Sequence, residues 1–253
     1  MNLIPSTPAL RTLALAGVAA LAFTGCITST DNSASASDND GQAAYVTSEV
    51  DQMGQVYGQI GDGLAKSSAF GVTITGELVI DPFKYHDSCQ CFVRHAVYTG
   101  MTGFERDRLD SVKLYDSAGA IMDKWRPAQI AKIVHSRNIK KSGNGKDADI
   151  RFDVVVEIKD DGGVKKGTWN GTMTGSYDGS PFKSGTITDV VRAWDSGHFG
   201  FPESGTIEID RPVLHLLAEF LGDGKAKVTI TNKVTGKIRI LYLDANYKES
   251  ANP

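Results

Sequence analysis

Cysteine is scarce in this chain: three among 253 residues exclude a disulfide-dense scaffold, so the fold must rest on an apolar core. Charge of one sign is also missing. Lys and Arg number 27 against 30 Asp and Glu. That balance gives no electrostatic reason to expect nucleic acid or an anionic membrane surface as a partner. No apolar run reaches the roughly 18–20 residues that a spanning helix needs. Catalytic signatures are missing too. There is no Gly-x-Ser-x-Gly elbow, no His-Glu-x-x-His pair and no phosphate-cradling Gly-Lys-Ser/Thr loop, so neither an enzyme nor a cofactor is expected.

What is present begins with the leader. Arg11 precedes a short apolar run, "TLALAGVAALAFT", and then "TGC" ends at Cys26. A positive residue, an apolar stretch too short to span and a small residue before a cysteine form an export signal. The arrangement resembles a bacterial lipoprotein signal peptide, with Gly25 before the cleavage point and Cys26 as the lipidated residue. Phe23 departs from the leucine preferred three residues before the cysteine. The resemblance covers residues 1–25 alone. It implies a chain held in the cell envelope by more than one acyl chain, each buried CH₂ contributing roughly 0.8 kcal/mol. Ile27 beside the cysteine, rather than Asp, implies the outer membrane. Residues 26–42, "CITSTDNSASASDNDGQ", hold little that could offset ordering entropy and read as a flexible tether.

From residue 43 to 246 the chain is long enough for one domain with its own core, and 247–253 read as a disordered tail. Val46, Val50, Met53, Tyr57, Ile60 and Leu64 recur at steps of three and four, the stripe of an amphipathic helix over 43–66. Beyond Ala69 the period becomes two. "VTITGELVI", "IRFDVVVEI", "KAKVTITN" and "GKIRILYL" alternate apolar with polar, and turn signals such as "KDDGG", "YDGS" and "GDG" separate such runs. Short loops between alternating strands require antiparallel neighbours. The expected fold is mainly β: a meander of about ten strands forming a strongly curved sheet or barrel, with the helix packed on it.

Three stretches carry candidate sites. In "HDSCQCFVRH", Cys89 and Cys91 are the pair left once Cys26 is lipidated, and a disulfide between them is one reading. Residues two apart in a flat strand stand near the 6.8 Å upper limit for bridged Cα atoms, so closure needs a turn. Plain buried thiols are a second reading. A tetrahedral metal site of His86, Cys89, Cys91 and His95 is a third, for which the segment would have to fold back. In "GFERDRLDSVKLY", charges alternate on both faces: Glu105 and Asp107 on one, Arg106, Arg108 and Asp110 on the other. That pattern suits an edge strand blunted by charge or a strand projecting beyond the sheet, or a polar lumen in which Arg106 or Arg108 contacts an anionic ligand. Trp125, Trp169 and Trp194 are core or rim residues, or a sugar-stacking platform. His135, His198 and His215 have no local partner that suggests a triad.

The expected function is therefore a lipid-anchored envelope protein with a non-enzymatic binding or structural β domain. Its partners are the membrane, through the N-terminal lipid, and another envelope protein. The alternative is a carrier or sensor of an apolar ligand held in a curved-sheet cavity, which resembles periplasmic lipoprotein carriers in shape only.

Overall fold

The computed structural model describes Val50, Met53, Tyr57 and Ile60, then residues 76–100, 105–143, 147–195, 197–245 and 250. The leader, the tether and the tail apart from Ser250 lie outside these residues, as does the expected helix 43–66 apart from the four named positions; Ser250 N donates to the Tyr242 carbonyl at 2.7 Å.

Strands dominate the described chain. In order they are β1 (Gly76–Ile80), β2 (Lys84–His86), β3 (Cys91–Gly100), β4 (Glu105–Asp116), β5 (Ile130–Ser142), β6 (Ala148–Asp161) and β7 (Val164–Tyr177). There follow β8 (Ser180–Pro181), β9 (Ser184–Asp195), β10 (His198–Phe199), β11 (Ser204–Asp210), β12 (Leu214–Gly222), β13 (Lys225–Asn232) and β14 (Ile238–Leu243). Neighbours pair in the order β1-β3-β4-β5-β6-β7-β9-β11-β12-β13-β14, with β2, β8 and β10 as short additions. Every pairing is antiparallel. The fold is thus mainly antiparallel β, as the alternation implies.

Closure is a correction. Among the described residues β1 and β14 do not pair, so the sheet is open and not a barrel. The alternation that fixes a strand and its neighbour carries no information about whether the two ends of a long meander meet.

The same alternation explains the core. In β6, Ile150, Phe152, Val154, Val156 and Ile158 are buried, while Arg151 and Glu157 on the opposite side are exposed. Turn chemistry sets the register: in the β12–β13 hairpin Asp223 and Gly224 both take positive φ, 49° and 71°, matching the twist of the flanking strands. Buried side chains from successive strands form one cluster, which also contains Val50, Met53, Tyr57 and Ile60. These four positions of the stripe therefore pack on the sheet's apolar face. Burying a side chain of this size contributes about 1.5–3 kcal/mol relative to exposure.

β4 is a second correction. Its double-sided charge suggests an edge, yet residues 105–112 lie between β3 and β5, and only 113–116 extend past β3. Arg108 and Asp110 are buried on the core side.

Candidate functional site

Register creates a charged row across the core. Arg94 on β3 stands opposite Asp110 on β4, which stands opposite Arg137 on β5. Two residue pairs along, Val112 faces His135. Alternation sends all four polar side chains to the buried face. Asp110 is fully buried and accepts from Arg94 Nη2 at 3.0 Å, Arg137 Nε at 2.6 Å and His135 Nε2 at 3.0 Å. Arg108 Nε lies 3.4 Å from Asp110 Oδ2, the oxygen that Arg94 also contacts.

Burial by itself would raise Asp110, but Arg137, Arg108 and the His135 hydrogen bond outweigh it and hold the carboxyl well below its ordinary range. A carboxylate only accepts, so His135 must donate from Nε2. Burial opposes a second proton and pushes His135 down to about 4 despite the Asp110 contact. Its Nδ1 is then an acceptor, and the Tyr57 hydroxyl donates to it over 2.9 Å. Burial also raises Tyr57 far above its ordinary value, keeping the phenol protonated.

Tyr57, His135 and Asp110 form a hydrogen-bonded relay like those that activate nucleophiles. Here all three side chains are sealed from solvent. A raised phenol, a neutral imidazole and no solvent access leave the relay without the poise that acid–base work requires. What it does do is fasten the N-terminal stripe to the sheet. Arg192 adds a second fastening: its Nη1 donates to the Val50 carbonyl at 3.4 Å and its Nε to the Gly200 carbonyl at 2.7 Å. Its guanidinium also lies over Trp169, 5.2 Å from the ring centroid.

The tryptophans belong to the same core. Trp169 and Trp194 flank Phe199, with ring centroids at 5.0 and 4.6 Å, and Trp125 meets Trp194 edge-on at 6.2 Å. Trp169 and Trp194 are buried, so the three do not form an exposed stacking platform.

At the cysteine stretch, a turn over residues 87–90 lets β2 fold back on β3, with His86 opposite Cys91. Gln90 takes a left-handed φ of 50°. That curl draws the Cα atoms of Cys89 and Cys91 to 5.2 Å, and a disulfide joins them. The flat-strand objection does not apply to a curled segment. His95, on the outer side, donates from Nε2 to Asp107 Oδ1 over 2.7 Å. Among the described residues no group of three or more His, Cys, Asp or Glu side chains converges to hold a metal.

Arg106 and Arg108 occupy the core side of β4, opposite Lys141 and Ile139 of β5. Arg108 is drawn into the Asp110 network. A separate groove of about 550 Å³ beside the β4–β5 connection is lined by Asp116, Ser117, Lys159, Asp160 and Lys165, with Ile130 and Ile158. It is a polar surface feature and not an apolar hollow.

The sequence placed Asp110 on the same face as Arg106 and Arg108 but did not connect it to His135, Arg94 or Tyr57. A signal existed in the charged residues at core-parity positions of three strands, Arg94, Asp110 and Arg137. Only the register shows that they meet. No family model, no curated protein and no solved structure matches the chain.

Proposed function

We propose that this chain is a bacterial lipoprotein of the outer membrane. Acyl chains on Cys26 hold it, residues 26–42 tether it, and the antiparallel sheet is a non-enzymatic binding or scaffolding module. The observation that carries the reading is the leader: a short apolar run ending in Gly25-Cys26, followed by a tether without apolar content. The β domain supports it from the other side. The residues best suited to acid–base work, Tyr57, His135 and Asp110, are sealed and spent on fastening. In this reading the N-terminal stripe is a helix laid on a strongly curved sheet.

The carrier reading asks for an apolar hollow under that helix. At the described positions Met53, Tyr57, Phe152, Trp169 and Met173 are buried in one apolar cluster, which favours the scaffold.

Membrane fractionation with labelled fatty acid tests the proposal. Wild-type protein is expected to take up label and sediment with membranes; Cys26→Ser is expected to do neither. Equal label in both proteins would overturn the anchor. Turnover of any substrate in a broad hydrolase panel, abolished by a single carboxylate substitution, would overturn the non-enzymatic reading.

A further inference from the structure

The Cys89–Cys91 bond closes a ring of three residues, in a turn that is held without it. β2 and β3 pair beside the turn at Lys84–Val93, Tyr85–Phe92 and His86–Cys91. Gln90 N donates to the Asp87 carbonyl at 3.3 Å across the turn, and the Tyr85 and Phe92 rings meet edge-on at 5.2 Å. A ring this small also constrains the unfolded chain far less than a long loop does. As a clamp on the fold, the bond adds little.

Its two sulfurs have different surroundings. Cys89 is partly exposed, between the exposed Ser88 and Gln90. Cys91 is buried, and Ser111 on β4 aims its hydroxyl at Cys91 Sγ over 3.2 Å. Sulfur in a disulfide accepts weakly and a thiolate accepts strongly, so this donor favours negative charge on Cys91. We propose that Cys89–Cys91 is a thiol–disulfide exchange site that passes its bond to a dithiol, with Cys89 Sγ as the sulfur attacked and Cys91 Sγ as the sulfur that leaves. Exchange needs access to the first and a stabilised thiolate on the second. The turn supplies both.

In the first step a thiolate of the dithiol attacks Cys89 Sγ. The Cys89–Cys91 bond breaks, and its electron pair leaves on Cys91 Sγ beside the Ser111 hydroxyl. The dithiol's second thiolate then attacks its own partner sulfur in the mixed disulfide. That forms the partner's disulfide and releases Cys89 as a thiolate. The dithiol has lost two electrons and two protons, and Cys89 and Cys91 have gained two electrons and take two protons from water. Ser111 acts as a positioning residue for the leaving sulfur. Exchange proceeds through sulfur alone, so it does not need the acid–base poise that the sealed relay lacks. This goes beyond an anchored scaffold: it gives the domain a covalent chemistry at the β2–β3 turn.

The test incubates the full membrane-extracted chain with an excess of a synthetic peptide that bears two cysteines, and mass spectrometry after acid quenching reads both. The expected result is one peptide disulfide formed for each Cys89–Cys91 bond lost, in the absence of urea. Cleavage after Lys84 and Arg94 isolates the pair from Cys26, so the readout does not depend on the anchor. Single substitutions then separate the two sulfurs. Oxidised glutathione should form a mixed disulfide on Cys89 of folded Cys91→Ser at least about tenfold faster than on Cys91 of Cys89→Ser. Ser111→Ala should slow reduction of the disulfide by the peptide roughly threefold, and Ser111→Thr, which keeps a hydroxyl, should restore it. Unchanged melting of each variant shows that it is folded. A bond that the peptide reduces only after urea has unfolded the chain overturns the proposal. So do equal rates at the two single cysteines, or a rate that Ser111→Ala leaves unmoved.

Discussion

Lowering the pH from 7 to 4.5 is expected to destabilise the domain through one residue, His135. Its imidazole is neutral when folded, with a value of about 4 against 6.5 for an ordinary histidine. Between these values the unfolded chain binds a proton that the folded chain refuses, so stability falls as pH falls. Each pH unit separating the two values is equivalent to about 1.36 kcal/mol. The loss is therefore about 2 kcal/mol by pH 5 and approaches about 3 kcal/mol near pH 4. The groups that face the imidazole are Asp110, Tyr57, Arg137 and Arg94. Asp110 is held well below 3.8, so its own contribution is complete above that pH and is lost only as pH falls further. The two windows are therefore separate. Urea denaturation at half-unit pH steps measures the slope, and the His135 ring resonances in the folded protein report its protonation directly. Stability that stays flat between pH 6.5 and 4.5, or a His135 ring that titrates near 6.5, would refute the reasoning.

Other outcomes follow from the same geometry. Asp110→Asn leaves Arg94, Arg108 and Arg137 without their shared carboxylate and should cost about 3–5 kcal/mol in urea denaturation. Asp153→Asn weakens an exposed pair with Arg151 and a bond accepted from Ser136 Oγ and should cost less than about 1 kcal/mol; equal costs would deny the network its role. Gly205→Ala should lower the melting temperature, since φ there is +98° and a Cβ would stand 2.3 Å from the Asp189 carbonyl oxygen; the expected cost exceeds about 1 kcal/mol. Reduction of Cys89–Cys91 should add two hydrogens to the intact mass and change global stability by less than the roughly 3 kcal/mol of a longer loop.

Local physics made much of the fold readable. Alternation in "IRFDVVVEI" and the Asp-Gly turns select antiparallel strands because side-chain period and turn twist are local properties. The charged network was hidden because Arg94, Asp110 and Arg137 are brought together by register, which depends on pairing across more than a dozen residues. For that reason β4 looked like an edge strand. Sheet closure was hidden as well, since it depends on the summed twist of eleven strands and on where the two ends arrive. At the cysteines a flat strand sets the expected separation, and the left-handed Gln90 shortens it.

The anchor at Cys26 is the claim on which the proposed role depends most. Intact-mass spectrometry of the protein extracted from membranes tests it most directly. The predicted result is a mature chain that begins at Cys26 and carries the added mass of its acyl chains. A chain that begins elsewhere, or one that begins at Cys26 with no added mass, would contradict it.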